Sequence, residues 1–228
     1  MTLDPMKQIL NILVFLFLGL NLGAQSKFSL GPIYSIGAST ILSNRPMSEI
    51  NGGTPIVSKM SLKMSMGAGL RAEYSFSDKW ALFLQTGFQQ HGTLFKAYMD
   101  DFKPRYRLNY LGVIGGAALR TKKMFSNQQF FLNLGLTQQT LLSANRVFDT
   151  GSERIASDIK KVDLGMFLGV GDNVHLQGSL LQFQLFATIG ARQPFSGNLS
   201  ANGMSGQNFL SGLQIAYLFG SSENMKAK

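Results

Sequence analysis

The sequence predicts an all-β protein, a closed antiparallel up-and-down transmembrane β-barrel of about eight strands. Three observations favour this fold class. Apolar and polar residues alternate over long stretches, charged residues make up only 14% of the 228 residues, and short links alternate with long ones. A soluble domain carries about 25% charged residues to cover its surface. A barrel wall that faces lipid needs far fewer.

The N-terminus has the pattern of a secretory signal peptide over residues 1–24, with Met6 as the expected start. Lys7 supplies the positive charge, an apolar run follows over residues 9–20, and small residues precede a cleavage site after Ala24. The run is shorter than the roughly 20 residues that a membrane-spanning helix needs. We therefore expect export through this segment. An uncleaved N-terminal membrane anchor is the alternative.

Alternation with a period of two residues predicts the strands. In residues 62–76 every even position is apolar and every odd position is polar or glycine. This stretch exceeds the usual strand of about five or six residues but suits a tilted strand that crosses a membrane. The segment 105–119 is ambiguous in phase, and its glycines, Gly112, Gly115 and Gly116, predict a bulge or a crowded lumen wall. The other predicted strands are 28–37, 80–91, 130–139, 162–171, 181–192 and 208–219.

The links between these strands alternate in length. Outer-membrane barrels have short periplasmic turns and longer extracellular loops. If residues 25–220 form the barrel and its N-terminus is periplasmic, every long link lies outside the cell. We therefore expect both termini in the periplasm of a diderm bacterium, with 221–228 as a polar tail. The short links are 77–79, 121–127 and 177–179, and the long ones are 39–61, 98–104, 146–161 and 194–205.

Aromatic residues gather near the strand ends that face the predicted periplasmic rim. Rings at this depth form the girdles that anchor a barrel at each interface of the bilayer. The predicted girdle consists of Tyr74, Phe76, Trp80, Phe130, Tyr217 and Phe219.

The predicted lumen is narrow, because eight strands enclose a space that side chains alone can fill. We expect a plugged lumen in which charged groups pair with one another, since an unpaired buried charge is costly. A gated path for protons or small ions along the same groups is the alternative. The predicted lumen cluster falls into two groups, Arg71 and Glu73 in the periplasmic half and Lys63, His91, Arg107, Asp163 and Arg192 in the outer half.

Sites for catalysis, metals or cofactors are not expected. The chain has no cysteine, its two histidines lie on separate strands, and no phosphate loop or Gly-x-Ser-x-Gly elbow occurs. A membrane-embedded lipid-modifying enzyme is the less favoured alternative, with His91 and either Thr93 or Ser143 as a base and nucleophile. The second histidine, His175, is expected on the lumen side near the periplasmic turn.

The net charge of +9 is spread over loops and strand ends. No nucleic-acid motif or basic stripe accompanies it, so we expect no nucleic-acid partner. A basic surface instead favours contact with anionic head groups of outer-membrane lipid and lipopolysaccharide.

The order of these features resembles the PorT-type outer-membrane β-barrel family. The resemblance rests on Gly23-Ala24-Gln25, Arg107-Leu108-Asn109-Tyr110-Leu111, Asp163-Leu164-Gly165 and the last strand, Leu213-Gln214-Ile215-Ala216-Tyr217-Leu218-Phe219. The last strand is also similar to the signal that the barrel-assembly machinery reads, which makes that machinery an expected partner during biogenesis. One family member is linked to protein secretion. The resemblance implies an outer-membrane location and a barrel fold more than an activity. Together with the missing catalytic motifs, it leads us to expect a structural or interaction barrel, not an enzyme, that supports secretion or envelope assembly through a protein partner.

Overall fold

The computed structural model describes residues 27–42, 47–51, 54–97, 105–121, 127–148, 151–176, 178–191, 194 and 206–220. The predicted signal peptide, the predicted tail and Arg192 lie outside the described residues. Within the described part, no helix is long and apolar enough to cross a membrane.

Strands dominate the described part of the chain. They are β1 (Phe28–Leu42), β2 (Met47–Asn51), β3 (Thr54–Ser61), β4 (Lys63–Ser75), β5 (Trp80–Ala97), β6 (Arg105–Arg120), β7 (Gln128–Phe148), β8 (Gly151–Arg154), β9 (Val162–Leu176), β10 (Ser179–Gly190) and β11 (Gln207–Phe219). A short 3₁₀ helix, Ala156–Asp158, lies between β8 and β9.

Eight of these strands close into an antiparallel barrel in the order β1-β4-β5-β6-β7-β9-β10-β11. The first and last strands seal it, with Leu30 opposite Phe219 and Leu42 opposite Gln207. Closure gives every wall strand a partner on both sides, which removes the unpaired edge that lipid does not tolerate. The predicted closed eight-stranded antiparallel barrel is confirmed.

The burial pattern of the wall is the reverse of that of a soluble barrel. Along β9, Phe167 is buried inside while Met166 and Leu168 are exposed outside. Leu136 and Leu185 are also highly exposed, at 71% and 60%. An outer band of large apolar side chains over a partly polar interior is typical of a wall that faces lipid.

Strand pairs extend the wall on the side of the long links, which we call the loop end. The opposite side, with the short links at 76–79, 121–127 and 177–178, is the turn end. At the loop end β3 pairs with β5, β2 pairs with β3, and β8 pairs with β7. The sequence predicted only links here. The reason is that β5 and β7, of 18 and 21 residues, continue past their barrel partners and offer free edges to these hairpins.

A register shift separates two parts of the β6–β7 pair. Asn109 lies opposite Ser143 and Tyr110 opposite Leu141, so that Leu142 is left without a partner. The bulge therefore lies in β7 and not at the glycines of β6. For these the other predicted alternative, a crowded wall, fits Gly116, where a Cβ would clash with the backbone oxygen of Leu134. The bulge changes which residues of β7 face inward, while β6 keeps its even-numbered residues inside from Tyr106 to Arg120.

Candidate functional site in the barrel lumen

Three apolar clusters fill much of the lumen. Their members are buried and face inward, so they close the barrel to bulk solvent. The turn-end cluster is Ile33, Leu180, Ala216 and Leu218. The middle cluster is Ala81, Phe83, Ile114, Ala118, Phe167, Phe186 and Leu210. The loop-end cluster is Ile41, Tyr106, Leu108, Tyr110, Ala144, Ile155 and Ile159.

Phenylalanine rings form the centre of the middle cluster. Phe83 and Phe167 have ring centroids 5.8 Å apart, and Phe167 stacks on Phe186 at 6.2 Å. These rings come from β5, β9 and β10. Their packing connects opposite sides of the barrel wall through the middle of the lumen.

A charged network lies in the turn half of the lumen, centred on Glu73 of β4. Arg71 Nη2 donates to Glu73 Oε1 at 2.6 Å and Arg120 Nη2 to Glu73 Oε2 at 2.5 Å. Gln182 Nε2 donates to the same carboxylate at 2.8 Å from the far wall. Both oxygens of a nearly fully buried carboxylate thus accept charge-assisted hydrogen bonds, which offset the cost of removing it from water.

Amide side chains connect further strands beside this network. Asn133 Nδ2 on β7 donates to Gln184 Oε1 at 2.8 Å, and Gln184 in turn donates to Gln214 on β11. Uncharged amides form these bonds without the desolvation cost of ions, and Asn133 Oδ1 is left buried with no hydrogen-bond partner among the described residues. They make a polar layer between the charged network and the loop-end half.

The loop-end half holds three more of the predicted lumen residues. Asp163 accepts a 2.7 Å hydrogen bond from Asn208 Nδ2, and Asn208 also donates to the hydroxyl of Tyr110 at 3.4 Å. His91 packs the edge of its ring against Tyr110, at 5.2 Å between centroids. Lys63 also faces inward, and its Nζ is buried without a hydrogen-bond partner among the described residues.

The structure thus brings Arg71 and Glu73 into direct contact. It places Lys63, His91 and Asp163 in the other half of the lumen, and the ion pairs of the network join only Arg71 and Arg120 to Glu73. Arg192 lies outside the described residues. The predicted cluster is therefore divided into two parts that are separated by the amide and phenylalanine layers.

The prediction that Arg107 faces the lumen is wrong. Arg105 and Arg107 are exposed on the outer face of β6. Their strand neighbours Tyr106 and Leu108 are buried inside. At the loop end the wall reverses its pattern, with apolar residues inside and polar residues outside. This is the arrangement of a wall that has left the hydrocarbon and stands among head groups or water.

Arg120 is the member of the charged network that the sequence analysis missed. It is the last residue of β6 and is almost fully buried. The predicted strand ended one residue earlier, at Leu119. The sequence contained a signal for it, because Arg120 has an even number, as do the inward-facing residues Tyr110 and Ile114. The alternation in 105–119 did not show, however, whether the even-numbered or the odd-numbered residues face inward.

Two cavities lie in the lumen, against different sides of its wall. The larger, of about 330 Å³, is bounded by inward-facing Gly67, Gly69, Gly87 and Gly112 and by the amides of Gln85, Gln89, Gln139 and Gln214. The smaller, of about 190 Å³, is lined by His91, Asp163, Asn208 and again Gln139. Gln139 therefore stands between them. Its Oε1 and that of Gln85 are buried without a hydrogen-bond partner in the described part of the chain.

The residues of the predicted aromatic girdle lie near the turn end. Most are exposed, at 44–56%, and Tyr217 is partly buried. Tyr217 packs edge-on against Phe219 at 4.8 Å, and its hydroxyl lies 2.9 Å from Ser179 Oγ. Cross-strand partners Phe28 and Tyr74 bring a further ring to this level. The girdle residues are Tyr74, Phe76, Trp80, Phe130, Tyr217 and Phe219.

The structure shows no hydrogen bond between His91 and either Thr93 or Ser143, the base and nucleophiles of the lipid-modifying alternative. Thr93 Oγ1 donates to the backbone of Ser61, and Ser143 accepts from Asn109 on the outer face of the wall. Neither nitrogen of His91 has a hydrogen-bond partner within the described residues. Among those residues, no group of three or more metal-ligating side chains occurs either.

Comparisons with known proteins agree with this architecture. Neisserial surface protein A has a similar fold, with a TM-score of 0.50 and 11% identity over 86% of this chain and 97% of that chain. OprG from Pseudomonas aeruginosa (TM-score 0.46, 16% identity, 86% of this chain and 95% of that one) and the attachment invasion locus protein Ail of Yersinia pestis (0.42, 13%, 85% and 99%) are also similar.

No curated protein matches the chain in sequence. A family model for the outer membrane protein beta-barrel domain matches residues 23–203. This match covers most of the chain, and it implies an outer-membrane location in a Gram-negative bacterium. The chain therefore belongs to the outer membrane protein beta-barrel domain family.

Proposed function

We propose that this barrel is a structural and interaction protein of the outer membrane, which supports protein secretion or envelope assembly through contacts made at its loop end. The observation that carries the proposal is the combination of a filled lumen with a wall that is prolonged by hairpins. The three apolar clusters and the Glu73 network leave no wide path for solutes. The prolonged wall is a surface that a protein can bind.

The segment between β8 and β9 supports this proposal, because it covers the lumen at the loop end. Ile155 and Ile159 insert beside Tyr106 and Leu108, and both are buried. The backbone N–H of Ile155 donates to Ala144 O at 2.9 Å, and that of Leu141 to Lys161 O at 2.7 Å. A cap held by backbone hydrogen bonds and apolar contacts favours a fixed surface over an open pore.

The outer face of β6 suits contact with lipid head groups. Leu111 and Val113 lie on the apolar band, and Asn109, Arg107 and Arg105 follow them toward the loop end. Guanidinium groups bind phosphate well. We infer that the loop end faces the outside of the cell, where lipopolysaccharide carries phosphates, and that the turn end and both termini face the periplasm.

Cross-linking in the source bacterium tests the interaction proposal. A tagged chain is compared with a variant in which β2 and β3 are replaced by a short turn, and both are checked for folding by heat-dependent mobility on a gel. We expect an envelope protein to cross-link to the first and to be lost from the second. Equal capture by both variants, or no capture by either, would contradict the proposal, as would a large open conductance in a planar bilayer.

A narrow gated channel is a second candidate, favoured by the two cavities that adjoin at Gln139. The larger lies mainly against β1, β4, β5 and β6 and the smaller mainly against β7, β9, β10 and β11, and polar side chains line much of both. Planar-bilayer recording of the wild type and of Glu73→Ala distinguishes this candidate. If neither conducts protons or small ions, the channel is excluded. We propose no catalytic activity and no cofactor.

A further inference from the structure

The charged network in the turn half of the lumen is not electrically balanced. It contains two guanidinium groups, of Arg71 and Arg120, and one carboxylate, of Glu73. All three residues are more than nine-tenths buried. An arginine does not lose its proton in a protein, so the network carries one surplus positive charge in a region of low dielectric constant, where an uncompensated charge is costly.

No second carboxylate of the described chain compensates this charge. Asp78 lies in the exposed turn before β5, and no ion pair joins it to either arginine. Asp172 falls on the parity of β9 that faces outward. The sequence of the neighbouring link 122–126 contains two lysines and no acidic residue. The ring of Phe83, 4.4 Å from Arg71 Cζ, attracts a cation but carries no charge of its own.

Two guanidinium nitrogens of the charged network also lack hydrogen-bond acceptors among the described residues. Arg71 Nη1 and Arg120 Nε are buried and have no hydrogen-bond partner in the described residues. Arg71 already uses its Nε and Nη2 on Glu73 Oε1. A buried guanidinium that points one free N–H group away from its carboxylate indicates an acceptor at that place.

The larger lumen cavity lies on the loop-end side of the charged network and is lined by neighbours of Arg71, not by Arg71 itself. Gly69, the next inward residue on β4, lines this cavity, as does Gln85, the partner of Arg71 on β5. Ile33, opposite Gly69 on β1, completes that side. The free space inside this cavity has room for about one small ion or water molecule.

We propose that the lumen binds one small monovalent inorganic anion of the chloride type, beside Arg71 at the cavity side of the charged network. Arg71 Nη1 donates to it and Arg120 contributes the second positive charge. An amide such as that of Gln85 completes the shell, since an amide can turn its NH₂ toward an anion. One negative charge balances the surplus. This inference is independent of the proposed function.

Thermal unfolding of the full barrel in detergent tests the proposal. The midpoint is compared in sodium chloride and sodium gluconate at equal ionic strength, for the wild type, Arg120→Gln and Arg107→Gln. Arg120→Gln removes the surplus charge, whereas Arg107→Gln makes the same charge change on the outer face. We expect chloride to raise the midpoint of the wild type and of Arg107→Gln by about 3 to 6 °C relative to Arg120→Gln. Equal responses of all three proteins would overturn the proposal.

X-ray diffraction tests for the anion beside Arg71 even if Arg120→Gln does not fold. Crystals of the wild type are grown or soaked with sodium bromide, and anomalous data are collected at the bromine edge. An anomalous peak within contact distance of Arg71 Nη1 supports the site. Peaks confined to surface arginines and lysines, with only water beside Arg71, would overturn it.

Discussion

Gln182 of β10 reaches across the lumen and donates a 2.8 Å hydrogen bond from Nε2 to Glu73 Oε1 of β4. The two residues are 109 positions apart in the chain. Since Arg71 and Arg120 bind the same carboxylate, one side chain connects three strands that do not all neighbour one another. The predictions below test this connection and the surfaces around it.

Removing the charge of Glu73 is predicted to destabilise the barrel strongly. Glu73→Gln leaves both arginines buried without a carboxylate, and breaking a buried pair in this way costs about 3–5 kcal/mol. Glu153→Gln is the matched control, because Glu153 pairs with Arg146 on the surface, where such pairs contribute about 0–1 kcal/mol. The free energy of unfolding in urea with detergent measures both. Similar losses for both variants would show that the buried network has no special role.

Truncating Phe167 is predicted to weaken the connection across the middle of the lumen. Phe167→Ala removes a ring that contacts Phe83 and Phe186, and such a change costs about 3–5 kcal/mol. Leu168→Ala, on the exposed outer face of the same strand, should cost much less. The unfolding free energies of the two variants test this. A larger loss for Leu168→Ala would mean that the lumen is not the core.

Arginine substitutions are predicted to locate the edge of the membrane on this wall. Leu134→Arg places a charge in the apolar band and should cost about 2–4 kcal/mol, whereas Asn109→Arg, beside the outward-facing Arg107, should cost about 0–1 kcal/mol. Folding into lipid vesicles, followed by urea titration, measures each value. Equal costs at both positions would contradict the inferred position of the head groups.

The cap between β8 and β9 is predicted to depend on its two isoleucines. Ile155→Ser puts a hydroxyl in the loop-end cluster and should release the segment, which carries the exposed residues Arg154, Lys160 and Lys161. Trypsin should then cut there faster than in the wild type, since cleavage requires local opening. Ser152→Ala in exposed β8 is the control. Unchanged cleavage of Ile155→Ser would show that the cap does not depend on this contact.

Much of the fold could be predicted from the alternation of residue types. Successive side chains of a strand point to opposite faces, so residues 62–76 or 162–171 show locally that one face is apolar and the other polar. Closure also followed, because lipid does not tolerate a free edge. The placement of Glu73 and Arg71 on the inner face needed no more than this.

The bulge, the pairing of β3 with β5 and the outward orientation of Arg107 depended on partners far away in the chain. Alternation shows that Arg107 and Tyr106 face opposite ways, but not which of them faces inward. That choice depends on whether the wall meets lipid or water at that height, which the stagger of neighbouring strands determines. The amino-acid sequence alone determined a closed barrel with polar groups on its inner face, because alternation is a local property of each strand. Only the tertiary structure brought Arg120, Glu73 and Gln182 together, because contacts across a lumen depend on the closure and register of the whole sheet.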